Sequence, residues 1–206
     1  MRAPREAPPA FLFFGVITGF EEAFARVRGL IEAQCGSLRP EGVSAAYPFP
    51  ETRTYARTMG PGLRRKFFVV DRPWPQDRLA QVKLAAIEME EEVRRGGSFP
   101  VERPVNVDPG LLNDCRIVLA STKDYSHRIY RGSGIWEEVT LMYQDGGWKP
   151  LPWTYPDFRS PAYHEFFAGL RERLLAAMRT WRGSAQPLPP LPPLPPHPRP
   201  PPPLPT

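Results

Sequence analysis

The 206-residue sequence holds two cysteines and three histidines, and that scarcity closes several routes. Cys35 and Cys115 cannot build a disulfide framework or a zinc cluster. Each lies in or beside an apolar pattern, so both are expected to be buried free thiols in a reducing cytoplasm. No segment approaches the ~20 apolar residues of a membrane span. The G-x-S-x-G elbow, the H-E-x-x-H pair, the glycine-rich dinucleotide loop and the P-loop are all missing. Charge of one sign is missing too. The net charge of +5 is carried by segments that mix both signs, as in Glu88, Glu90, Glu91 and Glu92 beside Arg94 and Arg95. Without a basic stripe interleaved with aromatics, the composition argues against nucleic acid as a partner.

Proline, by contrast, is abundant and unevenly placed. Of 29 prolines, 13 fall between Pro187 and Pro205. Proline lacks the N–H that helices and central strands need, so residues 184–206 are expected to form a disordered, proline-rich, polyproline-type tail. Its Pro-x-x-Pro units would suit a partner with an aromatic groove, or reflect compositional drift alone. Residues 1–9 read as a flexible N-terminus. Residues 10–183 remain, and at 41% hydrophobic and 12% aromatic content overall they suffice for one domain with a real core. The run Ala10–Ile17 imitates a signal peptide, but Glu21 and Glu22 follow at once, and a buried first strand fits better.

Periodicity predicts a strand over Phe11–Ile17 and a helix over Phe20–Gln34, with Phe20, Phe24, Val27 and Ile31 on one face. Strands follow at Val43–Phe49 and Arg65–Val70. A second helix spans Pro75–Arg95, striped by Leu79, Val82, Ala86, Met89 and Val93. A fourth strand at Val101–Val107 is expected at a sheet edge because it contains Pro104. This succession predicts an α+β sandwich with a ferredoxin-like βαββαβ core. A C-terminal β-hairpin and a helix extend it, the helix striped by Tyr163, Phe167, Leu170, Leu174, Met178 and Trp181.

The densest chemistry lies in Ser121–Tyr130, between the apolar run Ile117–Ala120 and the strand-like Ile135–Tyr143. Gly132-Ser133 reads as a two-residue turn. That register sets Tyr130 opposite Ile135, Arg128 opposite Glu137, His127 opposite Glu138 and Tyr125 opposite Thr140. A carboxylate beside an imidazole orients the ring and prepares it as a general acid or base. The pair would equally serve as part of a metal shell, or as a cross-strand polar pair and no more.

Other constellations point the same way. Asn106 and Asp108 either form an ordinary turn before Pro109-Gly110 or project from a strand end into a cleft. Met59–Lys66 joins a glycine turn to three cations and would suit a phosphate or carboxylate. Pro150–Arg159, carrying Trp153 and Tyr155, would make a core lid or the wall of a site for a flat ligand. His164, on the closing helix beside Phe166 and Phe167, reads as a surface or boundary residue.

The stretches Val105–Gly110 and Leu119–Tyr130, with Gly134-Ile135, Glu138–Leu141 and Pro152–Asp157, resemble the bacterial domain of unknown function 4416 family. Met59–Leu63 and Tyr47–Phe49 fit it as well, and the likeness runs from about Phe11 to Trp181. The resemblance implies a bacterial protein and a domain boundary, but carries no activity. The chain departs from the family pattern between Thr52 and Met59, where Tyr55 stands with Arg57 and Thr58 in place of a tyrosine pair and acidic residues.

Together these observations lead to a cytoplasmic protein that binds a small anionic ligand bearing phosphate or carboxylate, with transfer or hydrolysis as the chemistry to test. His127 would act as general acid/base, with Glu138 its orienting partner. Asp108 and Asp124 would hold a metal or position water. Arg65, Asn106, Lys123, Arg128, Thr140, Trp153 and Tyr155 would complete the ligand contacts. The second reading is a non-catalytic interaction module whose polar residues form a structural network. Metal, cofactor and oligomeric state are left open by the sequence.

Overall fold

The computed structural model describes residues 7–8, 10–50 and 53–183; the proline-rich tail and most of the N-terminal segment lie outside them. The first strand, β1 (Ala10–Thr18), is buried at every position. Its side chains alternate between two covered faces, which is why its sequence is continuously apolar instead of alternating. Leu12, Phe14 and Val16 pack on one side with helices α1 (Glu21–Cys35) and α3 (Leu79–Arg95). Phe11 and Phe13 face the other side and helix α4 (Pro161–Gly183). Each such side chain contributes ~1.5–3 kcal/mol by leaving water.

Between these helices runs one antiparallel sheet. Its remaining strands are β2 (Leu38–Val43), β3 (Tyr47–Pro48), β4 (Arg64–Trp74), β5 (Asn106–Leu112), β6 (Arg116–Ser121), β7 (Ile129–Gly132), β8 (Ile135–Gln144) and β9 (Gly147–Pro150). The order is β2-β4-β1-β5-β6-β8-β7, with β3 on β4 and β9 on β8. The expected mixed α+β architecture with a C-terminal hairpin and helix is therefore present, with helices on both faces. A short helix, α2 (Arg53–Met59), precedes β4, and a single 3-10 turn at Gln76–Arg78 opens α3. The apolar stripe foreseen for α3 is buried, as are Tyr163, Phe167, Leu170, Leu174 and Met178 of α4 and Phe24, Val27 and Ile31 of α1. No helix among the described residues is long and apolar enough to cross a membrane.

Three expectations need correction. The second strand lies earlier, at β2, and the region near Tyr47 supplies only the two-residue β3. The fourth strand starts at Asn106 and is central, paired with β1 on one side and β6 on the other. Pro104 simply precedes it. The proline that matters is Pro109, opposite Phe14 of β1. Its ring nitrogen cannot donate, and the β5–β6 ladder begins only at Gly110, opposite Leu119. Gly110 is required there, because a Cβ would lie 2.4 Å from the Phe13 ring and 2.7 Å from Leu119. Cys115 is the third: it is exposed in the turn before β6, while Cys35 is buried as foreseen, its thiol pKa pushed up to about 12 by desolvation.

Upstream of Pro109, then, β5 has no strand partner on the β6 side. Helix α3 supplies the missing bonds. Glu90 Oε1 accepts from the Val107 N–H at 2.8 Å, and Lys83 Nζ donates to the Val107 carbonyl at 2.9 Å. The sheet is split at this point, and polar side chains fill the split.

Candidate binding site

A cavity of about 380 Å³ lies at the split, with lining residues from both of its sides. Arg65 (β4), Lys83 (α3), Arg103, Asn106 and Asp108 (β5) make one wall. Leu119 to Ser121 (β6), Thr122, Lys123, Arg128 and Glu138 (β8) make the other, and Tyr155 to Asp157 close it with Phe49, Pro50 and Tyr55. The lining carries five cations, Arg65, Lys83, Arg103, Lys123 and Arg128, against three carboxylates, Asp108, Glu138 and Asp157.

On the first wall the charges neutralise one another. Lys83 Nζ donates to Asp108 Oδ1 at 3.1 Å, and Asn106 Nδ2 donates to Oδ2. Arg65 pairs with Asp157 at 3.2 Å and with Asp108 at 3.7 Å, and its guanidinium lies over the rings of Phe49 and Phe158. Burial alone would raise the Asp108 pKa, but Lys83 and Arg65 outweigh it and hold the carboxyl below its usual value. Burial would likewise lower the Arg65 pKa, yet Asp157 and Asp108 push it up. Arg103 bonds Glu90 Oε2 at 2.9 Å and also Asn106 Oδ1.

On the second wall Arg128 is the organiser. Its side chain is 2% exposed and that of Glu138 1%. Arg128 Nε donates to Glu138 Oε2 at 2.7 Å, Nη1 to both Ser121 Oγ and the Lys123 carbonyl at 2.8 Å, and Nη2 to the Tyr155 hydroxyl. Thr140 donates to Glu138 Oε1 at 3.1 Å. The Lys123 N–H donates to Ser121 Oγ at 3.1 Å, which fixes the loop while the Lys123 ammonium makes no ion pair among the described residues. Burial raises the Tyr155 pKa, partly countered by Arg128, so its hydroxyl keeps its proton.

His127 Nε2 sits 3.0 Å from Glu138 Oε2, but the two do not face each other across a ribbon. The turn is Ser133-Gly134, both at positive φ, and Arg131 is an extra residue in the ribbon between Tyr130 and Gly132. Ile129 is thus opposite Glu137, Tyr130 opposite Trp136, and Gly132 opposite Ile135. This corrects the turn read at Gly132-Ser133. Gly134 wins because a two-residue hairpin loop of this type favours glycine at its second central position. His127 lies ahead of β7, in a turn closed by the Arg128 N–H donating to the Tyr125 carbonyl. It stacks between Tyr125 and Trp153, with centroids 5.9 and 5.1 Å away, and is not among the cavity-lining residues.

Of the site residues read from the sequence, Arg65, Asn106, Asp108, Lys123, Arg128, Glu138 and Tyr155 line the cavity. Thr140 is fully buried behind Glu138, Trp153 stands behind His127 with its Nε1 donating to the Val139 carbonyl, and Asp124 is exposed outside the lining. No group of three or more His, Cys, Asp or Glu side chains that could hold a metal occurs among the described residues. Sequence reasoning passed over Lys83, Arg103, Tyr55 and Asp157. Lys83 left a legible signal: it stands four residues after Leu79 and three before Ala86, a lone charge on an apolar helical stripe. Arg103 left none.

No curated protein and no solved structure matches the chain. The family model of a domain of unknown function, DUF4416, matches residues 8–174, a span that contains both walls of the cavity and most of the fold. The chain belongs to the DUF4416 family.

Proposed function

We propose that the protein binds a small anionic ligand in this cavity. One observation carries the reading: five cations line the cavity against three carboxylates, and each carboxylate is already paired with a cation, Asp108 with Lys83 and Arg65, Glu138 with Arg128 and Asp157 with Arg65. Both oxygens of Asp108 accept from Lys83 and Asn106, and both of Glu138 accept from Thr140, Arg128 and His127. Among the described residues Lys123 makes no ion pair, and its backbone N–H is held by Ser121 Oγ. A cavity of this size suits a ligand larger than a bare ion, and an acceptor-rich, negatively charged group answers what its walls supply.

Transfer or hydrolysis needs a general base with a free lone pair facing the substrate. Asp108, Glu138 and Asp157 are each tied to a buried cation, which lowers their basicity, and His127 acts on the cavity only through Glu138. Binding is therefore the reading we favour over group transfer. A second reading, a non-catalytic module with a structural polar network, draws on the same paired carboxylates and on Ile129 and Tyr130, 70% and 59% exposed on the edge strand β7. An exposed free thiol at Cys115 supports placing the protein in a reducing cytoplasm.

Native mass spectrometry of the purified protein tests the binding reading, with Lys123→Ala and His127→Ala as controls. An anionic adduct retained by the parent, lost in Lys123→Ala and kept in His127→Ala is expected. Equal retention by parent and Lys123→Ala would remove the ammonium from the site.

A further inference from the structure

The hydroxyls on the second wall have a direction that the hydrogen-bond pattern fixes. Arginine is a donor only, with five N–H groups and no acceptor. Ser121 Oγ accepts from Arg128 Nη1 and from the Lys123 N–H, so its own proton must point elsewhere. The Tyr155 oxygen accepts from Arg128 Nη2, so its proton too is turned away from the guanidinium. Both residues line the cavity. Because one guanidinium holds both oxygens, the two hydroxyls lie close together, and the Lys123 ammonium follows Ser121 on the same loop.

Arg128 itself has little left to offer. Four of its hydrogen bonds are spent on Glu138, Ser121, the Lys123 carbonyl and Tyr155. The planar fork that reads a carboxylate two-pronged is therefore occupied. What remains is three single-point donors, two O–H groups and one ammonium. Three separate donors match a tetrahedral group with three equivalent oxygens better than a planar group with two. A water takes up ~30 Å³, so a cavity of about 380 Å³ has room for much more than one such group. Its rim supplies Phe49, Pro50 and Pro156, apolar surfaces suited to a flat ring.

Resting on the anion-binding reading, we infer that the cavity takes a phosphate monoester of a flat, ring-bearing alcohol, its phosphate held by the Ser121 and Tyr155 hydroxyls and the Lys123 ammonium. Arg128 is the positioning residue that turns both hydroxyl protons toward the phosphate. The loop Ser121–Lys123 and the segment Tyr155–Pro156 both line the cavity around the ligand.

The test is isothermal titration calorimetry of the full chain with phenyl phosphate, inorganic phosphate and benzoate. Phenyl phosphate is expected to bind tightest, inorganic phosphate next and benzoate weakest. Ser121→Ala and Tyr155→Phe each remove one donor and should weaken phenyl phosphate about 10-fold, the loss expected for a hydrogen bond to a charged group. The two substitutions lie on different elements, so a folding defect in one leaves the other to decide; circular dichroism checks each. Benzoate binding as tightly as phenyl phosphate, or both variants binding phenyl phosphate as well as the parent, overturns the inference. If the parent binds inorganic phosphate and only Lys123→Ala loses it, the hydroxyl assignment falls and the anion-binding reading stands. If none of the three probes binds the parent, both fall.

Discussion

The two walls of the cavity are built from the same kinds of side chain and end in different electrostatic states. On the β4–β5 wall, Lys83 and Arg65 are paired with Asp108 and Asp157, and Asn106 bonds Asp108 as well. On the β6–β8 wall, Arg128 and Glu138 are equally buried and paired, but the hydroxyls of Ser121 and Tyr155 and the Lys123 ammonium stay available. The difference comes from what each guanidinium bonds. Arg65 meets carboxylates, which are acceptors only and end the chain of bonds. Arg128 also meets hydroxyls, which accept and then donate onward. Pairing with a carboxylate closes a wall; pairing with a hydroxyl passes donor character to the cavity.

That contrast can be broken most severely at Arg128. Arg128→Met leaves Glu138 buried with only His127 and Thr140, and should cost about 3–5 kcal/mol of unfolding free energy in urea titration. A loss under about 1 kcal/mol would mean that the guanidinium does not hold the second wall. Lys83→Met should cost less, about 1–3 kcal/mol, because Asp108 keeps Arg65 and Asn106 and its side chain is 27% exposed.

The pH response sharpens the comparison next. The Lys83 and Arg65 charges hold the folded Asp108 pKa below the ordinary aspartate value of 3.8, so its contribution is fully present above about pH 3.8 and is lost as pH falls through the lower folded value. Stability measured between pH 5 and pH 2 should show this acid limb, and Asp108→Asn should flatten it. An unchanged limb would assign it to other carboxylates. The smallest effect belongs to the second wall: Tyr155→Phe and Ser121→Ala should each alter stability by no more than about 1 kcal/mol, while changing ligand affinity. A larger thermal shift in either would make these hydroxyls part of the scaffold.

Much of the frame was legible along the chain. The unbroken apolar run of β1, the three- and four-residue stripes of α1, α3 and α4, and the glycine before β4 all announced themselves through period and composition. So did the density of donors in Ser121–Tyr130, and His127 and Glu138 do lie within hydrogen-bonding distance. The route between them was misread, because register depends on which of Gly132 and Gly134 takes the turn, and both adopt positive φ. The place of β5 was misread for a similar reason. Pro104 and Pro109 are alike as letters, and only pairing with β1 shows which of them lies within the sheet.

The sequence alone settled which faces of β1, α1, α3 and α4 would be buried, since period and apolar content act over neighbouring residues and need no knowledge of distant ones. It equally settled that Asp108, Lys123, Arg128 and Glu138 were chemically conspicuous. Only the tertiary structure decided that Lys83 from a helix, Arg65 from one strand and Tyr155 from a late loop would share a cavity. The reason is physical: the ladder stops where Pro109 cannot donate, and the polar groups it leaves unpaired must find partners in space, wherever along the chain those partners lie.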